Sequence, residues 1–159
     1  TNSGTASGFG GGGLLQIKQT VKTTVVASYS TEAFADIAGM TVDITPTLST
    51  SKILVLWSCN VGCWTAGGAG PTIQLVRGAS RVNASFSSIW AGIGVGHVQN
   101  VAHQFIDNPA TTSATTYKLQ WYTEATYGIG LNYSNTTNAA RCGQAASTIT
   151  AMELAVGVL

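Results

Sequence analysis

Histidine and cysteine are the side chains in this sequence best suited to bind a metal ion, but their spacing argues against a shared site. His97 and His103 lie six residues apart in a stretch that alternates apolar and polar residues. An extended strand would put both on one face, about 20 Å apart along it. Cys59 and Cys63 form a C-x3-C pair with no adjacent C-x2-C or H-x3-H partner, so the ligand set of a zinc site is incomplete. We therefore expect no metal.

The three cysteines are not expected to form a disulfide framework. Four residues of extended strand separate the Cα atoms of Cys59 and Cys63 by about 13 Å, whereas a bridge needs less than about 7 Å. Cys142 leaves an odd number. We interpret all three as reduced, buried, small hydrophobic residues.

The acidic residues give no motif for general acid–base catalysis. No two of them form a catalytic pair in the sequence, although two could meet in the folded chain; they are Glu32, Asp36, Asp43, Asp107, Glu124 and Glu153. Serines are abundant, but the G-x-S-x-G motif that exposes a nucleophilic serine on a strand-to-helix turn is absent. The sequence predicts a protein that is not an enzyme and has no catalytic residues.

Two glycine-rich stretches resemble nucleotide-binding loops only superficially. GIGVGH, residues 92–97, is followed by a strand-like segment, whereas a dinucleotide-binding loop opens a helix. GFGGGG, residues 8–13, lacks the Lys-Ser/Thr of a phosphate-binding loop. No cofactor is expected.

The composition excludes two classes of partner. Charged residues make up only 8% of the 159 residues, and the formal net charge is +1, so neither nucleic acid nor an anionic membrane would be attracted. No run approaches the roughly 18 apolar residues of a membrane span. The first residues lack the basic and apolar regions of a signal peptide. We expect a soluble chain, with Thr1 compatible either with removal of an initiator Met from an entire gene product or with a boundary inside a longer one.

Period-two alternation predicts strands along most of the chain. LLQIKQTVK places Leu15, Ile17 and Val21 on one face, as in a half-buried strand. KILVLWSCNVG is continuously apolar at first, which predicts a central strand buried on both faces. Further strands are predicted in AFADIAGMTVDITP, TIQLVRG, VNASFSS, HVQNVAHQFID, YKLQWYTEA, GIGLNYS and STITAMELAVG. Pro46 should end the strand that precedes it.

Short strands at even spacing without capped helices indicate an all-β fold, an antiparallel β-sandwich of jelly-roll type. We assign this domain to residues 14–159 and a flexible Gly-rich arm to residues 1–13. The segment DNPATTSATT should form a loop at the rim of the sandwich, because Pro109 restricts Asn108 and the hydroxyl groups can satisfy nearby backbone groups.

Four tryptophans and the arm supply candidate contact residues. Trp57 and Trp121 lie in strong strands, which predicts core or subunit-contact positions. Trp64 and Trp90 flank Gly-rich stretches, where an exposed ring could stack on a sugar or pack on a neighbour, although packing is favoured. In the arm, Phe9 is the one large apolar residue beside Gly10, Gly11, Gly12 and Gly13, so these five residues are candidates for assembly or docking.

The sequence also resembles a module found in virion structural proteins of tailed bacteriophages, including those of cyanobacteria and other marine bacteria. Five stretches carry the resemblance across Leu14 to Leu154: LLQIKQTVKT, GMTVDITPTLSTSKILVLWS, IQLVRGAS, FIDNPATTSATTYKLQW and ASTITAMEL. DNPATTSATTY and STITAMEL are the most specific pieces. The segments Ser85–His97 and Tyr127–Gln144 match no fixed motif of the module.

This resemblance implies a virion component assembled in the host cytoplasm, with no catalytic residues. Two roles stay open: a capsid decoration or cement protein that contacts the major capsid protein or other virion proteins, and a fibre-end module that binds a host-surface polysaccharide. Because so few charges cannot cover a monomer surface, apolar patches should be buried by closed association. We expect a homotrimer.

Overall fold

A computed structural model describes residues 13–29, 32–63, 69–82, 87–90, 97–123, 128–133 and 145–155. The described residues form antiparallel strands and contain no helix, which confirms the predicted all-β class. The strands are β1 (Leu14–Lys22), β2 (Val26–Tyr29), β3 (Ala35–Ile44), β4 (Lys52–Cys63), β5 (Ala69–Arg77), β6 (Ser80–Arg81), β7 (Ser87–Trp90), β8 (His97–Asp107), β9 (Thr115–Tyr122), β10 (Gly128–Leu131) and β11 (Ser147–Leu154).

The first sheet is built around β4, which is the central strand that its apolar sequence predicted. β8 pairs with one edge of β4 along almost all of its length. β11 and β10 must therefore share the other edge, β11 beside Lys52–Ser58 and β10 beside Val61–Cys63. β1 and β2 pair in turn with β11 and β10. The first sheet is thus four strand positions wide, in the order β1/β2, β11/β10, β4, β8.

The second sheet has the order β3, β9, β5, with β6 and β7 both pairing with β5. Successive connections cross repeatedly between the two sheets: β2 to β3, β3 to β4, β4 to β5, β7 to β8, β8 to β9 and β9 to β10. Four strand positions in each of two sheets with these crossings form a jelly roll. The predicted jelly-roll-like sandwich is confirmed, and the strand order that the sequence left open is now defined.

The core lies between the two inner faces, where alternate residues of facing strands interdigitate. On β9 the inward positions are Thr115, Tyr117, Leu119 and Trp121, all buried. Trp57 on β4 is only 2% exposed, so the prediction of core positions holds for both tryptophans. The other fully buried large side chains include Met40, Ile44, Ile53, Ile73, Leu75, Ile129, Leu131 and Ile149.

β3 contains a bulge, so its side chains do not alternate regularly between the two faces as the sequence predicted. The register with β9 shifts between Asp36 and Thr41, and Gly39 adopts a φ of +80°. Because glycine tolerates this conformation, Ile37 and Met40 both point into the core although they are three positions apart, which regular alternation would place on opposite faces.

The predicted orientation of β1 is wrong. Its apolar residues Leu15, Ile17 and Val21 are 43%, 50% and 52% exposed. The register places Lys18 opposite Ala151 and Thr20 opposite Ile149, both core residues of β11, so the polar side of β1 faces inward. This is possible because β1 is an edge strand at the margin of the core.

β4 also departs from its prediction. Ile53, Val55, Trp57, Cys59 and Val61 are buried, but the alternating side chains of Leu54 and Leu56 are half-buried. β4 is therefore central in the sheet but buried on one face, because only its inner face meets the second sheet.

The rim loop forms as predicted between β8 and β9, where it carries the chain from the first sheet to the second. The Thr111 hydroxyl accepts a hydrogen bond from the Ser113 amide (3.0 Å), and the Thr115 hydroxyl donates to the Ser113 carbonyl (3.1 Å). These local bonds satisfy backbone groups that the strands leave unpaired.

Candidate interaction surface

Most of the residues singled out for docking lie outside the described residues. This group contains Phe9, Gly10, Gly11, Gly12 and Trp64. Of Trp90, in β7, only the backbone is described, and it pairs with Ala69 of β5. Their roles stay predictions.

Gly13 is the exception, because the structure describes it. Its carbonyl accepts a hydrogen bond from the Ala155 amide (3.0 Å), beside the end of β11. This bond fixes the point where the predicted arm meets the sandwich.

The described residues contain no group of three His, Cys, Asp or Glu side chains that could hold a metal ion. His103 instead stacks on Trp57, with ring centroids 5.2 Å apart, and its Nδ1 donates to the Gln104 carbonyl (2.7 Å). Burial raises the pKa of the Cys59 thiol to about 12, which keeps it protonated and unreactive. The described part of the chain contains no membrane-spanning helix.

The buried carboxylate of Glu153 binds protein donors. It accepts hydrogen bonds from the Gln16 side chain (2.6 Å) and from the amide and hydroxyl of Thr47 (2.7 and 2.8 Å). Burial alone would raise its pKa, but these hydrogen bonds outweigh burial and lower the pKa to about 2. Glu153 is therefore ionised, and its hydrogen bonds connect β11 with β1 and with the turn after β3.

A second buried carboxylate, Asp107, joins the two sheets. Its Oδ2 accepts hydrogen bonds from Arg77 Nη1 and from the Tyr117 hydroxyl, both at 2.6 Å. Burial and the Asp107 carboxylate raise the pKa of Tyr117. Arg77 lies on β5 and Tyr117 on β9, so these two hydrogen bonds hold β8 against both strands.

The outer face of the first sheet is the feature of the described residues best suited to an interaction. Cross-strand pairing aligns three rows of four side chains from β1, β11, β4 and β8. We call this set the apolar face: Ile17, Met152, Leu54 and Ile106 in the first row, Gln19, Thr150, Leu56 and Gln104 in the second, and Val21, Thr148, Ser58 and Ala102 in the third. None of these twelve side chains is ionisable, and the first row is apolar across the whole sheet.

The ends of these rows are exposed to solvent. Ile17 and Val21 on β1 are 50% and 52% exposed, and Ile106 on β8 is 41% exposed. Leu14, Leu15 and Val25, on or just beyond β1, are also large, apolar and exposed. Such a concentration of exposed apolar side chains commonly marks an interaction site.

The outer face of the second sheet is different, because it carries charges that pair with one another. Asp36 accepts hydrogen bonds from Lys118 and Gln120, both at 2.7 Å. These bonds lower the pKa of Asp36, and the bond from Lys118 has the largest effect. Gln74 donates to Gln120 (2.7 Å), and Thr116 donates to Asp43. This face is suited to water. The twelve side chains of the apolar face carry no charge, and Lys52 follows in the adjoining row, opposite Leu154.

A shallow depression of about 440 Å³ lies in the apolar face. Most of its lining residues are small or polar. The lining consists of Leu56, Trp57 and Ser58 of β4, Ala102, His103 and Gln104 of β8, and Thr148 and Thr150 of β11. Hydroxyl and amide groups here could hydrogen-bond a neutral ligand. Sequence reasoning missed the apolar face because it assigned the apolar residues of β1 to the core.

Comparison with known proteins adds little to this description. No protein-family model matches the chain, and no curated protein matches it. The similar solved structures include VP2 of the infectious bursal disease virus subviral particle, at 9% identity and a TM-score of 0.49, with 87% of this chain and 37% of that chain covered. The Gt strain of the same virus gives 12% identity, a TM-score of 0.46 and coverage of 87% and 39%.

This chain therefore spans less than two fifths of the length of the viral chains that it matches.

Proposed function

We propose that this chain is a non-enzymatic structural protein on the surface of a tailed-bacteriophage virion, where homotrimers decorate or cement the capsid shell. Its partners are further copies of itself and the major capsid protein or other virion proteins. It assembles with them in the host cytoplasm. The sequence resemblance described above supports the tailed-phage assignment.

The apolar face carries the proposal. A jelly roll is an architecture that viral capsid domains share with lectins and cupins, so the fold alone does not select a function. A face without ionisable side chains, on a chain of only 8% charged residues, favours permanent contact with other protein surfaces over exposure to water. Such contacts are the basis of a shell.

The predicted arm, residues 1–13, would extend these contacts to neighbouring subunits. Phe9 is its one large apolar anchor, and Gly13 fixes its base next to Ala155. Ordering each residue of the arm costs on the order of 1–2 kcal/mol, so contacts with a neighbour must offset that cost.

A second function, binding of a host-surface polysaccharide by a fibre-end module, is favoured by the depression in the apolar face. Thr148, Gln104 and Ser58 present hydroxyl and amide groups beside Leu56, and sugars are recognised by such mixtures of polar groups and apolar surface. In this function Trp64 and Trp90 would supply further stacking surfaces.

Counting the copies of the chain in each virion tests the two roles against each other. Quantitative mass spectrometry of purified particles should give a copy number comparable to that of the capsid subunits, and purified protein should bind particles that lack it. A copy number limited to that of tail or head fibres, together with retention on host polysaccharide, would favour the second function. Absence of the chain from virions would contradict both.

A further inference from the structure

We infer that the apolar face, with the edge of β1 beside it, is the surface through which copies of this chain bind one another. This inference rests on the proposed assembly into homotrimers and names the residues that would form the contact.

The lack of charge identifies the occupant. A nucleic acid, an anionic lipid or an acidic protein that bound here would have to remove water from its negative charges. The twelve side chains offer no positive charge in return, so this desolvation would cost binding free energy. A second copy of the chain avoids most of this cost, because the edge of its β1 presents the exposed apolar side chains Leu14, Leu15 and Val25, and only 8% of its residues are charged.

The size of the face fits such a contact. Four strands about 4.8 Å apart and three rows about 6.7 Å apart give a patch of about 400 Å². Two copies would bury about twice that area, and Leu14, Leu15 and Val25 would extend it towards the roughly 1,000 Å² of a specific interface. The face alone is therefore slightly too small, and the edge strand completes it.

The edge of β1 that faces away from β11 is suited to a closed ring of three copies. Among the described residues, β1 pairs with β11 alone, and in this inference its other edge receives the neighbouring copy. A contact between the edge of one copy and the face of the next is heterologous, and three such contacts close around a threefold axis. In the part of the second sheet that the structure describes, the outer face carries paired charges such as Asp36 and Lys118 and offers no comparable row of apolar side chains.

Charge substitutions at the two ends of the first row test the inference. Ile17→Lys and Ile106→Lys each place an unpaired charge in the proposed contact at an exposed position, so folding should persist while association is lost. We expect the unmodified chain to be a trimer by light scattering at micromolar concentration. Both variants should be monomers there, with at least a tenfold weaker association and an unchanged β-sheet circular dichroism spectrum.

Two matched controls carry the same substitution elsewhere. Leu48→Lys changes an apolar residue that is 48% exposed in the turn after β3, and Thr116→Lys changes an exposed residue on the outer face of the second sheet. Both should stay trimeric. If Ile17→Lys fails to fold, Gln19→Lys introduces the charge at an exposed polar position of the same face and should dissociate the trimer.

The outcomes separate the two proposals. Folded trimers of Ile17→Lys and Ile106→Lys, or dissociation of Leu48→Lys, would overturn the assignment of the surface and leave assembly intact. A monomeric unmodified chain would overturn both self-association and this surface, whereas the virion role is tested independently by the copy number in particles.

Discussion

At the residue scale, three of the acidic side chains connect strands through hydrogen bonds. Glu153 and Asp107 are buried, and each accepts hydrogen bonds from side chains of other strands. Asp36 performs a similar task on the surface through Lys118 and Gln120. The hydrogen-bond donors around each of these three carboxylates give it a structural role in the fold.

Glu153→Gln should destabilise the fold. The NH2 group of the new glutamine cannot accept a hydrogen bond, so a donor of Gln16 or Thr47 that now binds the carboxylate would lose its acceptor. A buried donor left without an acceptor costs about 1–3 kcal/mol. Urea unfolding at pH 7 should show a loss of about 2 kcal/mol or more. Asp43→Asn, at an exposed carboxylate, is the control and should lose much less.

The same carboxylate makes stability depend on pH in the acid range. The pKa of Glu153 is about 2 in the folded chain against 4.5 for the ordinary group. Its contribution is therefore complete above about pH 4.5 and is lost as the pH falls towards 2, because the unfolded chain binds the proton first. The difference in melting temperature between the unmodified chain and Glu153→Gln should shrink across this window; a constant difference would contradict the assignment.

At the element scale, β10 and β11 behave as one strand interrupted beside β4. Asn132, which has a φ of +57°, donates its side-chain amide to the Lys22 carbonyl (2.7 Å) and accepts from the Ser147 hydroxyl (2.7 Å). Ser147 in turn accepts from the Asn60 amide (2.9 Å). This buried network holds the end of β10 and the start of β11 at the same point of the sheet.

Asn132→Ala should cost about 2–4 kcal/mol, because it leaves Ser147 and Lys22 without their partner and places Ala at a positive φ. Asn132→Gly removes the same hydrogen bonds but tolerates the backbone conformation, so it should cost less than Asn132→Ala. Chemical denaturation of the two variants, with the exposed residue Asn108→Ala as a control, measures both contributions. Equal stability of Asn132→Ala and the unmodified chain would show that the network is not required.

At the scale of the whole molecule, the few charged residues that the structure describes are unevenly distributed between the two sheets. The outer face of the second sheet carries paired charges, while the apolar face of the first carries none. This difference between the two outer faces is the basis of the proposal that the first sheet contacts other protein surfaces.

Removal of divalent metal should not affect stability. The described residues form no group of three ligands for a metal ion, so no metal-binding energy is expected to be linked to folding. The melting temperature should be the same with and without a chelator. A fall of several degrees that one divalent ion restores would reveal a site that the residues described here do not form.

Deletion of residues 1–12 should leave the sandwich intact, because Gly13 keeps its hydrogen bond to Ala155. We expect a nearly unchanged melting temperature but loss of binding to undecorated particles. Phe9→Ala should weaken binding more than any single substitution between Thr1 and Ser7. Binding of the truncated protein with the affinity of the full chain would make the arm a simple linker.

The sequence by itself determined the features that depend on neighbouring residues. Alternation predicted the strands, the continuous apolar run predicted the central position of β4, and Pro46 and the loop after Asp107 marked the ends of strands. Trp57 and Trp121 were identified as core candidates for the same reason, since the period of a strand is a local property.

Only the tertiary structure decided the features that depend on pairing between distant segments. Gln16 and Glu153 are 137 residues apart, and the register between their strands is what turns Ile17 and Val21 outward and Lys18 and Thr20 inward. A strand has two faces, and its own alternation does not say which one meets the core. The apolar face, and with it the proposed contact between copies, therefore came from the register and not from the pattern.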